Sequence, residues 1–138
     1  MRRTTKITVI LLLVFAMMLP ATLSLFAANP QTVQPRWTSI ATIELDLVFV
    51  GTEGTAGGVA RKQSTATNIE GTLTVYKQVG NDWVFVADTY GQKPVGSLWL
   101  SVDFTGEIGV LYKAVFEVTA YTGNVGETEI VDCTELCD

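Results

Sequence analysis

The feature that most constrains this chain is the two-residue alternation of "YKAVFEVTAYTGNVGETEI", Tyr112 to Ile130. Tyr112, Ala114, Phe116, Val118 and Ala120 fall on one side, with Lys113, Glu117 and Thr119 on the other. Successive side chains of a strand point to opposite faces, so this pattern predicts a strand with one buried and one solvated face. "TGNVG" then supplies turn chemistry, and "ETEIVD" resumes the alternation. The stretch reads as two antiparallel strands joined by a tight turn.

The same period recurs upstream. "IELDLVF" puts Ile43, Leu45, Leu47 and Phe49 on one face and Glu44 and Asp46 on the other. Ile40 is out of phase with that set, which predicts a bulge or a change of partner near Ala41. In "NIEGTLTVYKQVGNDWVFVADTY", Ile69, Leu73 and Val75 share a face, and Gly80, Asn81 and Asp82 make a turn. Trp83, Phe85 and Ala87 then alternate with Val84, Val86 and Asp88, completing a hairpin. "GSLWLSVDFTG" sets Leu98, Leu100, Val102 and Phe104 against Trp99, Ser101 and Asp103. "GTEGTAGG", by contrast, reads as too glycine-rich for an ordered strand interior, with a short strand beginning only at Val59 to Lys62.

About seven strands at the spacing typical of sandwiches result. One sheet would bury only one face of each strand, and two packed sheets resolve this. The expected fold is all-β, an antiparallel β-sandwich of about seven strands, with a small β-barrel as the alternative.

The N-terminus has a different character. Arg2, Arg3 and Lys6 precede an apolar run from Ile7 to Leu19, Pro20 breaks it, and Ala27 and Ala28 follow. That order is the layout of a secretory signal peptide, so residues 1–28 are read as a signal cut after Ala27 or Ala28. The competing reading is an uncleaved anchor, because the 22 residues from Ile7 to Ala28 are long enough to span a bilayer. Residues 29–36, with Pro30 and Pro35 and no apolar pattern, form an exposed leader. The sandwich is assigned to residues 37–132, and residues 133–138 to an acidic tail bearing a cysteine pair. The chain is expected to be secreted, with no membrane contact after cleavage.

Composition narrows the chemistry. Removing the signal takes three of nine basic residues and none of 14 acidic ones, leaving six against 14, a net charge of −8. No basic stripe exists for phosphates, which disfavours a nucleic-acid partner. Histidine is absent, which removes Ser-His-Asp and Cys-His catalysis and the commonest metal ligand. Neither a catalytic motif nor a cofactor motif is present, and the expectation is a non-enzyme without a cofactor.

"YKAVFEVTAYTGNVGETE" resembles the penultimate and last strands of immunoglobulin-like and fibronectin-III-like domains. The resemblance implies that Tyr112 is the corner tyrosine whose hydroxyl bonds back to the chain, and that Trp37 and Trp83 are core residues. The departures are the missing Cys…Trp…Cys framework and Ala114 where an antibody-type domain carries cysteine. As a whole the chain resembles small β-rich secreted proteins of Gram-positive bacteria, a likeness that implies a fold and not an activity.

Five features are candidates for function. Cys133 and Cys137, in "CTELC", would lie within disulfide range on one helical turn. A local disulfide is the leading reading, beside a mixed disulfide with a partner, and two free thiols or a redox role. Glu127, Glu129, Asp132, Glu135 and Asp138 fit a solvated edge that resists aggregation, or a weak calcium site. Glu44, Asp46 and Glu117 would serve as glycosidase carboxylates only across a cleft, and read as solvated strand faces. Arg61 and Lys62 form a basic pair suited to a solvated loop. Tyr76, Trp99 and Tyr121 each lie opposite their strand's main apolar face. They offer an aromatic platform for sugar rings or a protein, or else they pack across strands or beneath a covered second face. The expected function is a secreted binding module for an extracellular carbohydrate or protein. The alternative is a structural protein that self-associates through sheet edges.

Overall fold

The computed structural model describes residues 37–138; the segments read as signal and leader lie outside the described residues. Seven strands follow one another: β1 (Ile40–Val50), β2 (Glu53–Lys62), β3 (Asn68–Val79), β4 (Asp82–Lys93), β5 (Ser97–Thr105), β6 (Leu111–Thr122) and β7 (Val125–Leu136). They form a three-stranded sheet ordered β1-β2-β5 and a four-stranded sheet ordered β4-β3-β6-β7. All pairings are antiparallel, and no closed barrel forms. The protein is a β-sandwich. Among the described residues, no helix is long and apolar enough to cross a membrane.

The hairpins β1–β2, β3–β4 and β6–β7 each turn through two residues headed by glycine. Gly80 (φ 62°) and Gly123 (φ 63°) take the left-handed backbone that the first central position of such turns demands. The bulge expected near Ala41 is present: Ile40 pairs with Lys62 and Thr42 with Arg61, leaving Ala41 over. It brings Ile40 onto the inner side with Ile43 despite their odd separation.

The glycine-rich segment departs from expectation. Glu53 to Gly58 is not loop but the first half of β2, the central strand of its sheet. The physical reason is steric. A Cβ on Gly58 would stand 2.8 Å from the ring of Phe116 on the facing sheet, and one on Gly54 would stand 2.5 Å from the ring of Phe104, its cross-strand partner on β5. Glycine here is the hollow that receives an aromatic ring, and that steric demand offsets its low strand propensity. Gly71 on β3 receives the other edge of the Phe116 ring, 2.9 Å from a Cβ placed there.

Ile69, Leu73, Val75, Leu98, Phe116 and Val118 fill the centre between the sheets and are essentially inaccessible to water. At one end, Phe49, Phe104 and Tyr112 pack ring against ring, with centroids 5.2–5.6 Å apart. The Tyr112 hydroxyl accepts a hydrogen bond from the Glu107 N–H at 2.9 Å, five residues upstream. The back-bond expected of that residue is therefore made. Trp37 packs against the core, as expected, but Trp83 does not: it lies on the outer face of the four-stranded sheet.

The C-terminal expectations are also corrected. Residues 133–136 are the end of β7 and not a tail, and Cys137 beyond them is wholly buried. The disulfide reading assumed a helical turn, whereas the backbone is extended. Four residues of strand separate the two Cα atoms by about 13 Å, beyond the reach of a disulfide. Both thiols are free.

Candidate functional site

Register decides which aromatic side chains share a face. On β3, alternate residues from Asn68 to Gln78 point outward, and Glu70 and Tyr76 are among them. Their cross-strand partners on β6 include Lys113, Glu117 and Thr119, with Tyr121 opposite Asn68. On β4, Tyr90 stands opposite Thr72, Phe85 opposite Tyr76 and Trp83 opposite Gln78. Five aromatic side chains thus lie on one outer face. Seven residues separate Trp83 from Tyr90, an odd number that would send them to opposite sides. A bulge at Val86 resets the phase, because Val75 pairs with Ala87 and Tyr76 with Phe85. Ala87 therefore faces inward, which corrects the expected grouping of Trp83, Phe85 and Ala87.

These side chains form two groups. In the first, the Tyr121 and Tyr90 hydroxyls donate to the two carboxylate oxygens of Glu70, at 2.7 and 3.1 Å. Tyr90 also reaches the side-chain oxygen of Gln92 at 3.4 Å. The Tyr121 ring lies over Gly126 of β7, where a Cβ would stand 3.0 Å from it. The bond to Glu70 holds the Tyr121 hydroxyl above the usual tyrosine range, with burial adding to it; for Tyr90 burial leads and Glu70 follows. The carboxylate is thus bracketed by two protonated phenols.

In the second group, the Lys113 ammonium lies 4.4 Å from the centroid of the Trp83 ring and 5.7 Å from that of Tyr76. Phe85, beside them, is 56% exposed.

Of the three aromatics singled out in the sequence, Tyr76 and Tyr121 share this face but belong to different groups. Trp99 is 68% exposed on the outer face of the other sheet, opposite Val59. Sequence reasoning passed over Glu70, Tyr90, Phe85 and Lys113. The signal for Glu70 was its even spacing from Tyr76 on one strand; the Val86 bulge hid Tyr90.

The carboxylates considered for catalysis do not meet. Glu44 and Asp46 lie on the outer face of the three-stranded sheet, Glu117 on that of the four-stranded one. An open concavity of about 450 Å³ is lined by Glu53, Gly54, Thr55, Asp103, Phe104 and Thr105. There the Thr55 hydroxyl donates to Asp103 at 2.8 Å.

Glu127 is not a solvated edge residue. Its carboxylate accepts the backbone N–H groups of Ser39 (2.6 Å), Thr38 (3.0 Å) and Ile40 (3.3 Å). The bonds from Ser39 and Thr38 draw its pKa below the usual carboxylate range against the opposing effect of burial. It latches the entry to β1 onto β7. Among the described residues, no group of three or more acids or cysteines is placed to hold a metal ion. Burial, followed by the nearby carboxylates of Asp46, Asp132 and Glu135, pushes the Cys133 thiol up and away from reactivity, although a bond from Ala114 opposes this.

No protein-family model matches the chain, and no curated protein does. Among solved structures it is similar to part of the β-glucuronidase of Parabacteroides merdae, with 18% identity and a TM-score of 0.42. That match covers 67% of this chain and 13% of the glucuronidase, so the enzyme named there is a far larger molecule. A protein from Archaeoglobus fulgidus matches 71% of this chain and 97% of its own length, at 12% identity and a TM-score of 0.35.

Proposed function

We propose that this protein is a secreted, non-enzymatic binding module that engages extracellular carbohydrate through the outer face of its four-stranded sheet. The observation that carries this reading is the Tyr90–Glu70–Tyr121 bridge, with the Tyr121 ring packed against Gly126. Sugar rings stack their C–H faces on flat aromatic rings and hydrogen-bond their hydroxyls to fixed polar groups beside them. A tyrosine held by a carboxylate loses little side-chain freedom on binding, which lowers the entropic cost. The want of histidine in the sequence and the separation of Glu44 and Asp46 from Glu117 support a role without catalysis. The N-terminal sequence supports export. The strand orders β1-β2-β5 and β4-β3-β6-β7, with the Tyr112 back-bond, support an immunoglobulin-like or fibronectin-III-like sandwich as the scaffold.

The test is co-sedimentation of the purified protein with insoluble cell-wall and mucin polysaccharides. Saturable retention, lost in a folded Tyr90→Ala/Tyr121→Ala double variant, is the expected result. No retention by the folded protein overturns the reading.

Self-association through a sheet edge is the second reading, and one observation favours it. Edge strand β1 exposes Val48 (50%) and Val50 (79%) on one face. Sedimentation velocity showing only monomer across a wide concentration range overturns it.

A further inference from the structure

We infer that the occupant of this face is one linear, non-anionic polysaccharide chain that lies along the strands and touches both aromatic groups at once. The inference rests on the carbohydrate reading above. Glu70 and Tyr76, one in each group, lie six residues apart on the same face of the same strand, a separation of about 20 Å. A single sugar ring or a disaccharide reaches one group only, whereas a chain of several rings reaches both. Between the groups the face carries Thr72, Thr74, Val115, Glu117 and Thr119, flanked by Ile130 of β7, and among the described residues no ring interrupts a ligand's path. The Thr119 hydroxyl shares a hydrogen bond with that of Thr128 at 2.8 Å. This intervening surface is one that hydroxyl-rich ligands can hydrogen-bond.

Charge selects among glycans. Among the described residues, the outer face bears Glu70, Asp88, Glu117 and Asp132 against one cation, Lys113, which is already stacked on Trp83. Uronate or sulfated chains would meet a repulsive surface, whereas hydroxyl and amide N–H donors of uncharged sugars complement the carboxylates. With one group engaged, the second contact becomes intramolecular, so affinity rises with chain length without any new kind of contact.

The experiment is calorimetric titration of the purified protein with cello- and chito-oligosaccharides, from the disaccharide to lengths beyond about 33 Å, because Tyr121 and Trp83 stand opposite Asn68 and Gln78 of β3. The dissociation constant is expected to fall by about tenfold or more once the chain spans both groups. Tyr121→Ala and Trp83→Ala should each return the long chain to the affinity of the short one. Tyr121→Phe and Trp83→Phe, which keep a ring, should retain most of the gain and guard against loss of fold. Oligogalacturonate of equal length should bind at least about tenfold more weakly. Affinity independent of length, or equal binding of oligogalacturonate, overturns this inference and leaves the carbohydrate reading standing. Binding at no length, together with no retention on insoluble polysaccharide, overturns both and points instead to a protein partner.

Discussion

On the inner face of β2 stand Gly54, Ala56, Gly58 and Ala60; on the inner face of β6, in the sheet across from it, stand Tyr112, Ala114, Phe116, Val118 and Ala120. The central strand of the three-stranded sheet brings hollows to the interior and leaves that sheet's rings, Phe49 and Phe104, to the strands beside it; β6, in the four-stranded sheet, brings rings of its own. On the outside the contrast takes another form. The four-stranded sheet carries five aromatic side chains outward; the three-stranded sheet carries Trp99 among small and acidic residues. A strand's composition therefore reports what faces it as much as what it is. Gly58 in β2 marks the place where the other sheet's ring enters.

The sharpest way to break this contrast is at its point of contact. Phe116→Ala empties a site that is fully buried and floored by two glycines, so the neighbours have little side chain with which to collapse into it. The expected loss is about 3–5 kcal/mol in denaturant unfolding. Gly58→Ala acts from the opposite side by overfilling, with a cost of about 1–3 kcal/mol. Since both changes act on one contact, the pair Gly58→Ala/Phe116→Leu should cost less than the sum of its parts. Strict additivity would show that Gly58 is not where the ring enters.

The same contact explains how much of the fold was legible in the chain. β1, β3, β5 and β6 announce themselves by alternation because each buries one face of ordinary apolar residues. Even the Ala41 bulge is readable, since Ile40 breaks phase visibly. β2 was not readable as a full strand, because its inner face is completed by residues distant in sequence. The Val86 bulge was hidden for a different reason: Val84 and Val86 on one parity and Trp83, Phe85 and Ala87 on the other are apolar on both sides, so a slip of one leaves no mark. Cys133 and Cys137 look like a helical pair only until β7 is known to run to Leu136. The candidate site was half legible. Tyr76 and Tyr121 stood out as outward aromatics, but their partners Glu70, Tyr90 and Lys113 required the register.

The two ends of the sandwich sharpen the comparison through hydrogen bonds of unlike kind. At the Phe49–Phe104–Tyr112 end, Tyr112→Phe deletes a neutral acceptor and leaves the Glu107 N–H without it. The expected cost is about 1–2 kcal/mol, insensitive to pH across the acidic range. At the β1–β7 latch, Glu127→Gln exchanges a charge-assisted set of bonds for neutral ones, at a cost of about 1 kcal/mol given its partial exposure. Here pH matters. The folded pKa of Glu127 is depressed, so its contribution is present above the ordinary glutamate value and lost as pH falls through the depressed one. Denaturant midpoints measured from neutral to acid pH should fall more steeply for the native protein than for Glu127→Gln. Parallel profiles would show that the latch does not bear on stability.

The smallest effect is expected at Trp99, and it separates the two outer faces most cleanly. At 68% exposure, with Val59 its neighbour on β2, the side chain has little buried area to lose, and Trp99→Ala should change stability by less than about 0.5 kcal/mol. Size and aromatic character alone make Trp99 the most conspicuous contact residue in the sequence, yet among the described residues no second aromatic side chain joins it on its face. A platform for a sugar chain needs rings held at fixed places beside polar groups, which Tyr90, Glu70 and Tyr121 provide and Trp99 does not. Retention on polysaccharide should therefore survive Trp99→Ala and fail in the Tyr90→Ala/Tyr121→Ala variant. The reverse outcome, with binding lost at Trp99 and kept at the tyrosines, would move the contact surface to the three-stranded sheet, where Ser101, Asp103 and the concavity beside Phe104 lie on the same strand.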